Sequence, residues 1–408
     1  MQRIFTLNGK RVLFGLFCLL AAAAAGRWAL MGRDGAVPEE ALRTAVENCL
    51  EDIRAKYAPD PRTAVFQIAW DVHGSTVEVH GKVTEETVHE ALTANLRTVP
   101  GVRQVRNRVA KLPLLPDKDK TAGIVTTTVT NLYRDPDAAG EMVTQAVLGD
   151  VLTLLDKEGG LYLVRMDNNY LGWVLAGDVR VVSEAEKEEY LRHLNRSVVS
   201  TLAPMYQSPD VNSPVVINAV APARLTAGNG TGDWLPVSLP DGKRVWVLKR
   251  HVQETVPLRP AAAEEMIPGD RGEIVAAAVR FAGIPYFWGG TTPLGIDCSG
   301  FTQMIYRLCG IVLPRDADQQ FTAGAAVEKN ALQAGDLVFF AAAGSSGGKV
   351  KPTHVGIYLG GDEYIHASTG EGAVAVSPLS RNDPACNPGA KTILIGARRI
   401  LSGTENLH

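Results

Sequence analysis

Residues 285–301 read Pro-Tyr-Phe-Trp-Gly-Gly-Thr-Thr-Pro-Leu-Gly-Ile-Asp-Cys-Ser-Gly-Phe. Glycine and proline punctuate the first part of this stretch, and an apolar series with helical spacing follows Cys298: Phe301, Met304, Ile305 and Leu308. The pattern predicts a loop that enters a helix at Cys298. The positive end of a helix dipole stabilises a thiolate, so this position is expected to lower the pKa of the thiol. Cys298 is therefore the candidate nucleophile.

A cysteine nucleophile needs a base and a group that orients that base. His354 and His366 lie in two short runs rich in β-branched and aromatic residues, which predict strands. Adjacent strands would place the two imidazoles side by side. A lone histidine in a strand is more often structural, and a lone cysteine is more often a small buried apolar residue. The combination of all three residues favours catalysis.

The same region closely resembles the NlpC/P60 family of papain-like cysteine peptidases. Seven blocks carry the resemblance in the family's order: Pro285-Tyr-Phe-Trp-Gly-Gly, Asp297-Cys-Ser-Gly-Phe, Leu313-Pro-Arg, Gln319-Gln, Gly335-Asp-Leu-Val-Phe-Phe, His354-Val-Gly-Ile-Tyr and Ile365-His-Ala. Seven collinear blocks are a far more specific signal than any one of them. The resemblance implies a catalytic domain over residues 268–402.

The resemblance also implies roles for individual residues. Cys298 would be the nucleophile, His354 the base and His366 the polar third member. Tyr286 would donate a hydrogen bond near the oxyanion, and Trp288 would contact substrate. No metal or other cofactor is expected, because the histidines lack metal-ligand spacing with other Cys, Asp or Glu residues.

The substrate implied by the resemblance is an L-Ala-γ-D-Glu-(diamino acid) peptide derived from peptidoglycan, cut after the D-Glu. Asp297 could pair with a free α-amino group, with Ser299 in hydrogen-bonding reach of it. Arg315 could take the D-Glu carboxylate in a bidentate manner or could form a structural salt bridge; the sequence leaves both open. Ala317 stands where relatives often have a serine, which removes one polar contact.

The chain of 408 residues is too long for one ordinary core and indicates two to four domains. It is 46% hydrophobic and 21% charged with a net charge of −3, which gives no indication of nucleic-acid binding. Its five cysteines exclude a disulfide-stapled scaffold but allow a single bridge. Cys309, three helical turns after Cys298, is expected to pack in the core.

Residues 1–35 predict a secretory signal or a membrane anchor. Basic residues precede the apolar run 12–25, which ends in alanines. The expected destination is the periplasm or cell envelope, with membrane attachment through the N-terminus as one alternative. Cys18 invites a lipoprotein interpretation, although Leu16 and Phe17 before it fit that poorly.

Residues 39–113 predict a small α+β domain. The expected elements are a helix at 40–57, strands at 65–72 and 76–80, a helix at 85–98 and a strand at 102–109. The runs that begin at Val77 and Val99 resemble the BON domain, which is associated with the cell envelope. A spacer that holds the enzyme off the membrane is the alternative.

A linker at 114–120 leads to two segments, 121–184 and 197–256, of short strands broken by Gly, Asn, Asp and Pro, a pattern typical of small barrels. Both resemble bacterial SH3 domains, and residues 184–192 between them predict a charged helical connector. The barrels could bind peptidoglycan, or they could form one side of the active-site cleft. In the second case the resemblance implies Glu141 and Tyr170 of the first barrel as substrate contacts.

The sequence thus predicts a multidomain α+β protein, with a papain-like NlpC/P60 domain preceded by two SH3-like β-barrels and a BON-like domain. The expected activity is hydrolysis of the γ-D-Glu–diamino acid bond in peptidoglycan peptides. Two alternatives stay open: an endopeptidase on intact peptidoglycan, and a non-catalytic wall-binding protein. The loop at 341–349 is either a mobile rim of the cleft or an inert connection.

Overall fold

The computed structural model describes residues 37–343, 350–383, 386–387 and 389–402. The expected signal or anchor at 1–35, Cys18, and residues 344–349 of the predicted rim loop lie outside these ranges. The chain divides into two units, one up to Leu112 and one from Pro113 onward. Across the described ranges, helices that are both long and apolar enough to cross a membrane are absent.

The first unit is a three-stranded sheet covered by two helices. Its elements are α1 (Glu39–Tyr57), β1 (Phe66–His73), β2 (Thr76–Val83), α2 (Glu86–Leu96) and β3 (Gln104–Lys111). Strand β2 is antiparallel to β1 and parallel to β3. Alternate residues of β2, such as Val77 and Val79, are buried in the core with Val46 and Leu92 of the helices. The helix–strand–strand–helix–strand order predicted from sequence is confirmed; the BON assignment stays a prediction.

The second unit begins with a seven-stranded barrel, barrel 1. Its strands are β4 (Ala122–Val125), β5 (Val129–Tyr133), β6 (Met142–Val147), β7 (Val151–Glu158), β8 (Leu161–Arg165), β9 (Leu171–Leu175) and β10 (Val179–Val182), with a 3₁₀ turn at Ala176–Asp178. The spatial order is β10-β4-β7-β8-β9-β5-β6. Leu132, Leu154, Val164 and Val174 fill its interior.

Helix α3 (Glu184–His193) connects barrel 1 to a second barrel. Ser183 and Glu186 form a capping box at its start, acidic residues occupy its first turn and basic residues its last, so that the charges complement the helix dipole. The strands of barrel 2 are β11 (Arg196–Val198), β12 (Ala203–Tyr206), β13 (Val215–Ala219), β14 (Arg224–Ala227), β15 (Trp234–Ser238), β16 (Arg244–Leu248) and β17 (Val252–Glu254), with a 3₁₀ turn at Lys249–His251.

The remaining residues form an α+β domain around a six-stranded antiparallel sheet. Its elements are β18 (Arg259–Pro260), α4 (Arg271–Arg280), β19 (Thr291–Thr292), β20 (Gly295–Ile296), α5 (Cys298–Leu308), β21 (Ile311–Val312), α6 (Ala317–Gln320), β22 (Ala325–Val327), β23 (Leu337–Ala342), β24 (His354–Gly360), β25 (Glu363–Ser368), β26 (Ala373–Pro378) and β27 (Thr392–Arg399), with 3₁₀ turns at Lys329–Ala331 and Leu379–Asn382. The sheet order is β22-β27-β23-β24-β25-β26.

Helix α5 is the central element of this domain. Its apolar residues, the series read from the sequence, are buried with Val355, Ile357 and Ile365 of the sheet. The predicted change from loop to helix at Cys298 is therefore confirmed. Cys309, at the end of α5, packs against the same core as expected, and the four cysteines within the described residues are all free thiols.

Candidate active site

Cys298 is the first residue of α5. The preceding residue, Asp297, caps the helix by accepting a hydrogen bond from the backbone N–H of Gly300 at 2.7 Å. The backbone N–H of Val355, the second residue of β24, donates toward the Cys298 sulfur. The thiol therefore lies against the strand that begins with His354.

The protonation state of Cys298 differs from the prediction. Burial raises the pKa of the thiol to about 12, and the neighbouring carboxylate of Asp297 adds to that rise. The backbone N–H groups of Val355 and Ser299 and the charge of Arg315 act in the opposite direction with less effect. The expectation of a lowered pKa was wrong because desolvation of the thiolate outweighs the helix start. This environment favours the protonated thiol of Cys298 at neutral pH.

The two histidines lie on adjacent antiparallel strands, as predicted. Nε2 of His354 is 2.6 Å from Nδ1 of His366, and the two rings are nearly perpendicular. Nε2 of His366 is in turn 3.2 Å from Oγ of Ser377 on β26. Sequence reasoning missed Ser377, because no motif marks it; only the pairing of β25 with β26 brings it to His366.

Burial keeps both imidazoles neutral. It lowers the pKa of His354 to about 4 and that of His366 to about 3, and in His366 the neighbouring His354 adds to the effect. These contacts fit two proton arrangements, and a base at His354 requires the one in which Nε2–H of His354 donates to Nδ1 of His366 and Nε2–H of His366 donates to Ser377. This arrangement leaves Nδ1 of His354 as an unprotonated base.

Two aromatic residues of the 285–301 stretch take different positions. Tyr286 lies near the thiol, and burial, together with Cys298, raises the pKa of its phenol to about 12. Its hydroxyl stays protonated and can donate a hydrogen bond to a developing oxyanion. Trp288 is 66% exposed and forms a hydrogen bond with the carboxylate of Glu141. Trp288 therefore joins the catalytic domain to barrel 1 at the surface.

Arg315 forms the structural salt bridge that was one of its two predicted roles. The side chain is 1% exposed, and its Nη1 and Nη2 donate to the two oxygens of Asp297 at 3.1 and 2.6 Å. Nη1 also donates to Oγ of Ser299 at 2.9 Å. The guanidinium therefore fixes the two residues that flank Cys298.

The same network corrects the expectation for Asp297 and Ser299. Besides Arg315, the Asp297 carboxylate accepts hydrogen bonds from the backbone N–H groups of Gly289 and Gly300, and the side chain is 5% exposed. Ser299 donates its hydroxyl proton to Asp297 and is equally buried. Because these groups are already committed to each other, Asp297 is not available to bind a substrate ammonium group.

Barrel 1 contributes directly to the site. Oγ1 of Thr144 accepts the Nε–H of Arg315 at 3.0 Å, and Oε1 of Gln145 accepts the backbone N–H of Thr291 at 3.1 Å. The hydroxyl of Tyr170 donates to Oδ2 of Asp316 at 3.0 Å. Tyr170 is 3% exposed, so it belongs to the interface and is not ordinary barrel surface.

Three residues of this interface, Thr144, Gln145 and Asp316, were missed by sequence reasoning. Asp316 directly follows Arg315 in the chain, and that adjacency was the one available signal. The two barrel residues carry no motif. They become visible only when β6 is placed against the loop that precedes Cys298.

Glu141 lies at the outer edge of the same interface. It pairs with Arg134 at 2.7 Å, which lowers the pKa of the glutamate, and it contacts Trp288. Glu141 therefore lies beside Trp288 with its charge paired to Arg134.

Comparison with known proteins places this architecture in a family. The NlpC/P60 family model matches residues 283–385, and that of the bacterial dipeptidyl-peptidase SH3 domain matches residues 132–179. A γ-D-glutamyl-L-lysine dipeptidyl-peptidase of Bacillus cereus is 31% identical over 279 residues, which are 64% of this chain and 76% of the relative. The chain belongs to the NlpC/P60 family of cysteine peptidases.

Two further proteins match similar shares of the chain. A dipeptidyl-peptidase 6 of Lysinibacillus sphaericus is 29% identical over 64% of this chain and 93% of its own length. A crystal structure of an NlpC/P60 family protein from Bacillus cereus is 26% identical and covers 69% of this chain and 99% of its own, with a TM-score of 0.58. The predicted papain-like fold with an SH3-like domain is thereby confirmed.

Proposed function

We propose that this enzyme hydrolyses the γ-D-Glu–diamino acid bond of peptidoglycan peptides that carry a free N-terminal L-Ala. The contact between Tyr170 and Asp316 is the observation that carries the proposal. It places a carboxylate at the junction of barrel 1 and the catalytic domain, one residue from the arginine that fixes both neighbours of Cys298. The printed names of two relatives, both dipeptidyl-peptidases, support the same reaction class.

Asp316 takes over the role that sequence analysis gave to Asp297. An ammonium group bound at Asp316 would fix the N-terminus of the substrate, with the Glu141–Arg134 pair at the outer edge of the same interface. An acylated amine would bring no positive charge to Asp316, and the loss of that ion pair in a partly buried site is costly. The barrel wall would therefore select short peptides with a free amine and exclude the interior of a longer chain.

The catalytic steps follow from the neutral Cys298–His354 pair. As the sulfur attacks the γ-glutamyl carbonyl, Nδ1 of His354 accepts the thiol proton, and Tyr286 donates a hydrogen bond to the oxyanion. His354 then delivers the proton to the leaving amine, which gives a thioester on Cys298. Water attacks the thioester, with its proton passing to His354 and then to the sulfur. His366 and Ser377 hold His354 in the tautomer that this sequence requires.

The test uses the purified full chain with three substrates: L-Ala-γ-D-Glu-diaminopimelate, its N-acetylated form and intact sacculi. We expect L-Ala-D-Glu from the free peptide, cleavage of the acetylated peptide slower by about 100-fold or more, and no product from Cys298→Ala. Asp316→Asn should reduce the preference for the free amine. Equal cleavage of blocked peptide or sacculi would indicate an endopeptidase, and no Cys298-dependent product would indicate a wall-binding protein.

We also propose that the enzyme is exported to the periplasm or cell envelope. The basic residues and the apolar run at 12–25 support export, and the substrate proposed here is found in that compartment. A fusion of residues 1–35 to a reporter that is active only outside the cytoplasm would test this. A reporter that stays inactive would contradict it.

A further inference from the structure

A cavity of about 330 Å³ lies where the segments of the second unit meet, apart from the catalytic residues. Barrel 1, helix α3, the first residue of β14, the segment that contains β18 and the end of α5 each provide part of its wall. Its volume is at the lower end of the range for small-molecule sites. Arg307 in this wall is nine residues after Cys298 on α5, about 13 Å along the helix at 1.5 Å per residue.

The charges in the cavity do not balance. Arg307 is satisfied, since it pairs with Asp150 at 3.1 Å and with Asp167 at 2.5 Å. Lys187 pairs with Glu184. Arg224 is attracted by Asp150 and Asp167, but its Nε is buried and makes no hydrogen bond within the residues that the structure describes. A buried N–H without an acceptor leaves part of its desolvation cost uncompensated.

Apolar side chains also line the cavity. They are Leu191 and Leu194 from α3 and its end, Leu258, Pro260 and Val312. Leu191 is 40% exposed on a helix whose other residues are mostly charged. Together these side chains give the cavity an apolar wall that an aliphatic group can contact.

We propose that this cavity binds a small aliphatic carboxylate. The carboxylate occupies the position in front of Arg224, where it accepts the hydrogen bond that Nε of this residue lacks. The aliphatic part lies against Leu191 and Leu194. An inorganic anion would satisfy Arg224 but leave the apolar wall exposed, and a neutral hydrocarbon would do the reverse. The lining therefore matches a ligand that carries both a carboxylate and an aliphatic group.

The experiment is calorimetric titration of the full chain with 4-methylpentanoate, and with acetate and phosphate at equal ionic strength. We expect saturable binding of 4-methylpentanoate. Acetate should bind with about tenfold lower affinity because it lacks the longer alkyl part. Arg224→Gln should weaken the binding of 4-methylpentanoate by about tenfold or more. Arg244→Gln, an exposed arginine on β16 of the same barrel and outside the cavity, is the matched control and should bind like the parent.

Leu191→Ser provides a second variant whose folding is not at risk, because the side chain is already partly exposed. This substitution should weaken the binding of 4-methylpentanoate and leave the affinity for acetate unchanged. Absence of saturable binding in the parent protein would overturn the proposal. So would full affinity in both Arg224→Gln and Leu191→Ser, or equal affinity for acetate and 4-methylpentanoate.

Discussion

At the scale of single residues, the proposed catalytic group comprises Cys298, His354, His366 and Ser377. Cys298 keeps its proton because its sulfur is desolvated, and His354 is free to take that proton because burial holds the imidazole neutral. His366 and Ser377 add no charge to this group. The reactive thiolate therefore forms during the reaction and does not accumulate in the resting enzyme.

The pH dependence of hydrolysis follows from this resting state. Since the base must be unprotonated and its pKa is lowered to about 4, we expect kcat/KM to be lost as the pH falls through about 4 and to show no acidic limb near 6.5. The measurement is the pH–rate profile with a free L-Ala-γ-D-Glu peptide. An acidic limb above pH 6 would show that His354 titrates as an ordinary exposed histidine.

His366 is a positioning residue, since it acts through His354. His366→Ala removes the acceptor for Nε2–H of His354 and should lower kcat by about 100-fold, with little change in KM. His366→Asn keeps an acceptor and should recover much of that loss. Equal activities of the two variants would contradict the role assigned to the hydrogen bond, because a merely structural contribution does not depend on an acceptor at this position.

Thr144 tests the link from barrel 1 to the nucleophile. Thr144→Val is similar in size but removes the acceptor for the buried Nε–H of Arg315, a loss of about 1.5–3 kcal/mol for a hydrogen bond to a charged group. We expect kcat/KM to fall by about tenfold or more. Thr144→Ser keeps the hydroxyl and is the control. Unchanged hydrolysis by Thr144→Val would show that Arg315 holds its position without the barrel.

At the scale of elements, α5 could be predicted from the sequence because its apolar spacing and its glycine-rich approach are local signals. The strands of His354 and His366 were predictable for the same reason. The roles of Asp297 and Arg315 could not be decided, because a charged residue next to a nucleophile fits both substrate binding and a buried ion pair. That choice depends on Thr144 and Ser299 meeting Arg315 in space.

The close packing of α5 gives a prediction for Gly300. A Cβ at this position would lie 2.2 Å from the carbonyl oxygen of Gly290, so the helix or the loop would have to shift. We expect Gly300→Ala to destabilise the domain by about 1–3 kcal/mol and to abolish hydrolysis. Gly177→Ala, whose Cβ would meet no described atom within 4 Å, is the control. The measurements are denaturant unfolding and hydrolysis by both variants. A Gly300→Ala variant that is as stable and active as the parent would contradict the close contact between Gly300 and Gly290.

At the scale of the whole molecule, the buried histidines link stability to pH. An unfolded histidine binds a proton near pH 6.5, whereas the pKa values of His354 and His366 are lowered in the folded state. Below pH 6.5 the unfolded chain therefore binds more protons, and the free energy of unfolding decreases as the pH falls toward 4. His366→Asn should lose less stability between pH 7 and pH 5 than the parent, measured by denaturant unfolding. An equal or larger loss would contradict this assignment.

The domain order could be predicted from sequence, but the way the parts join could not. Barrel 1 and the catalytic domain meet through polar contacts whose partners lie far apart in the chain, such as Tyr170 with Asp316. Short strands and turns give strong local patterns, whereas an interface of single hydrogen bonds leaves none. The contribution of barrel 1 to the active site is therefore a structural finding.

The hydrogen bond from Arg315 to Thr144 also limits how the domains of this protein could be exchanged with those of other proteins. A catalytic domain transferred alone to another protein would carry a buried guanidinium with one donor left unsatisfied, next to the residues that hold Cys298. A transfer that includes barrel 1 would carry the missing acceptor with it. We therefore expect the catalytic domain to be inherited together with barrel 1.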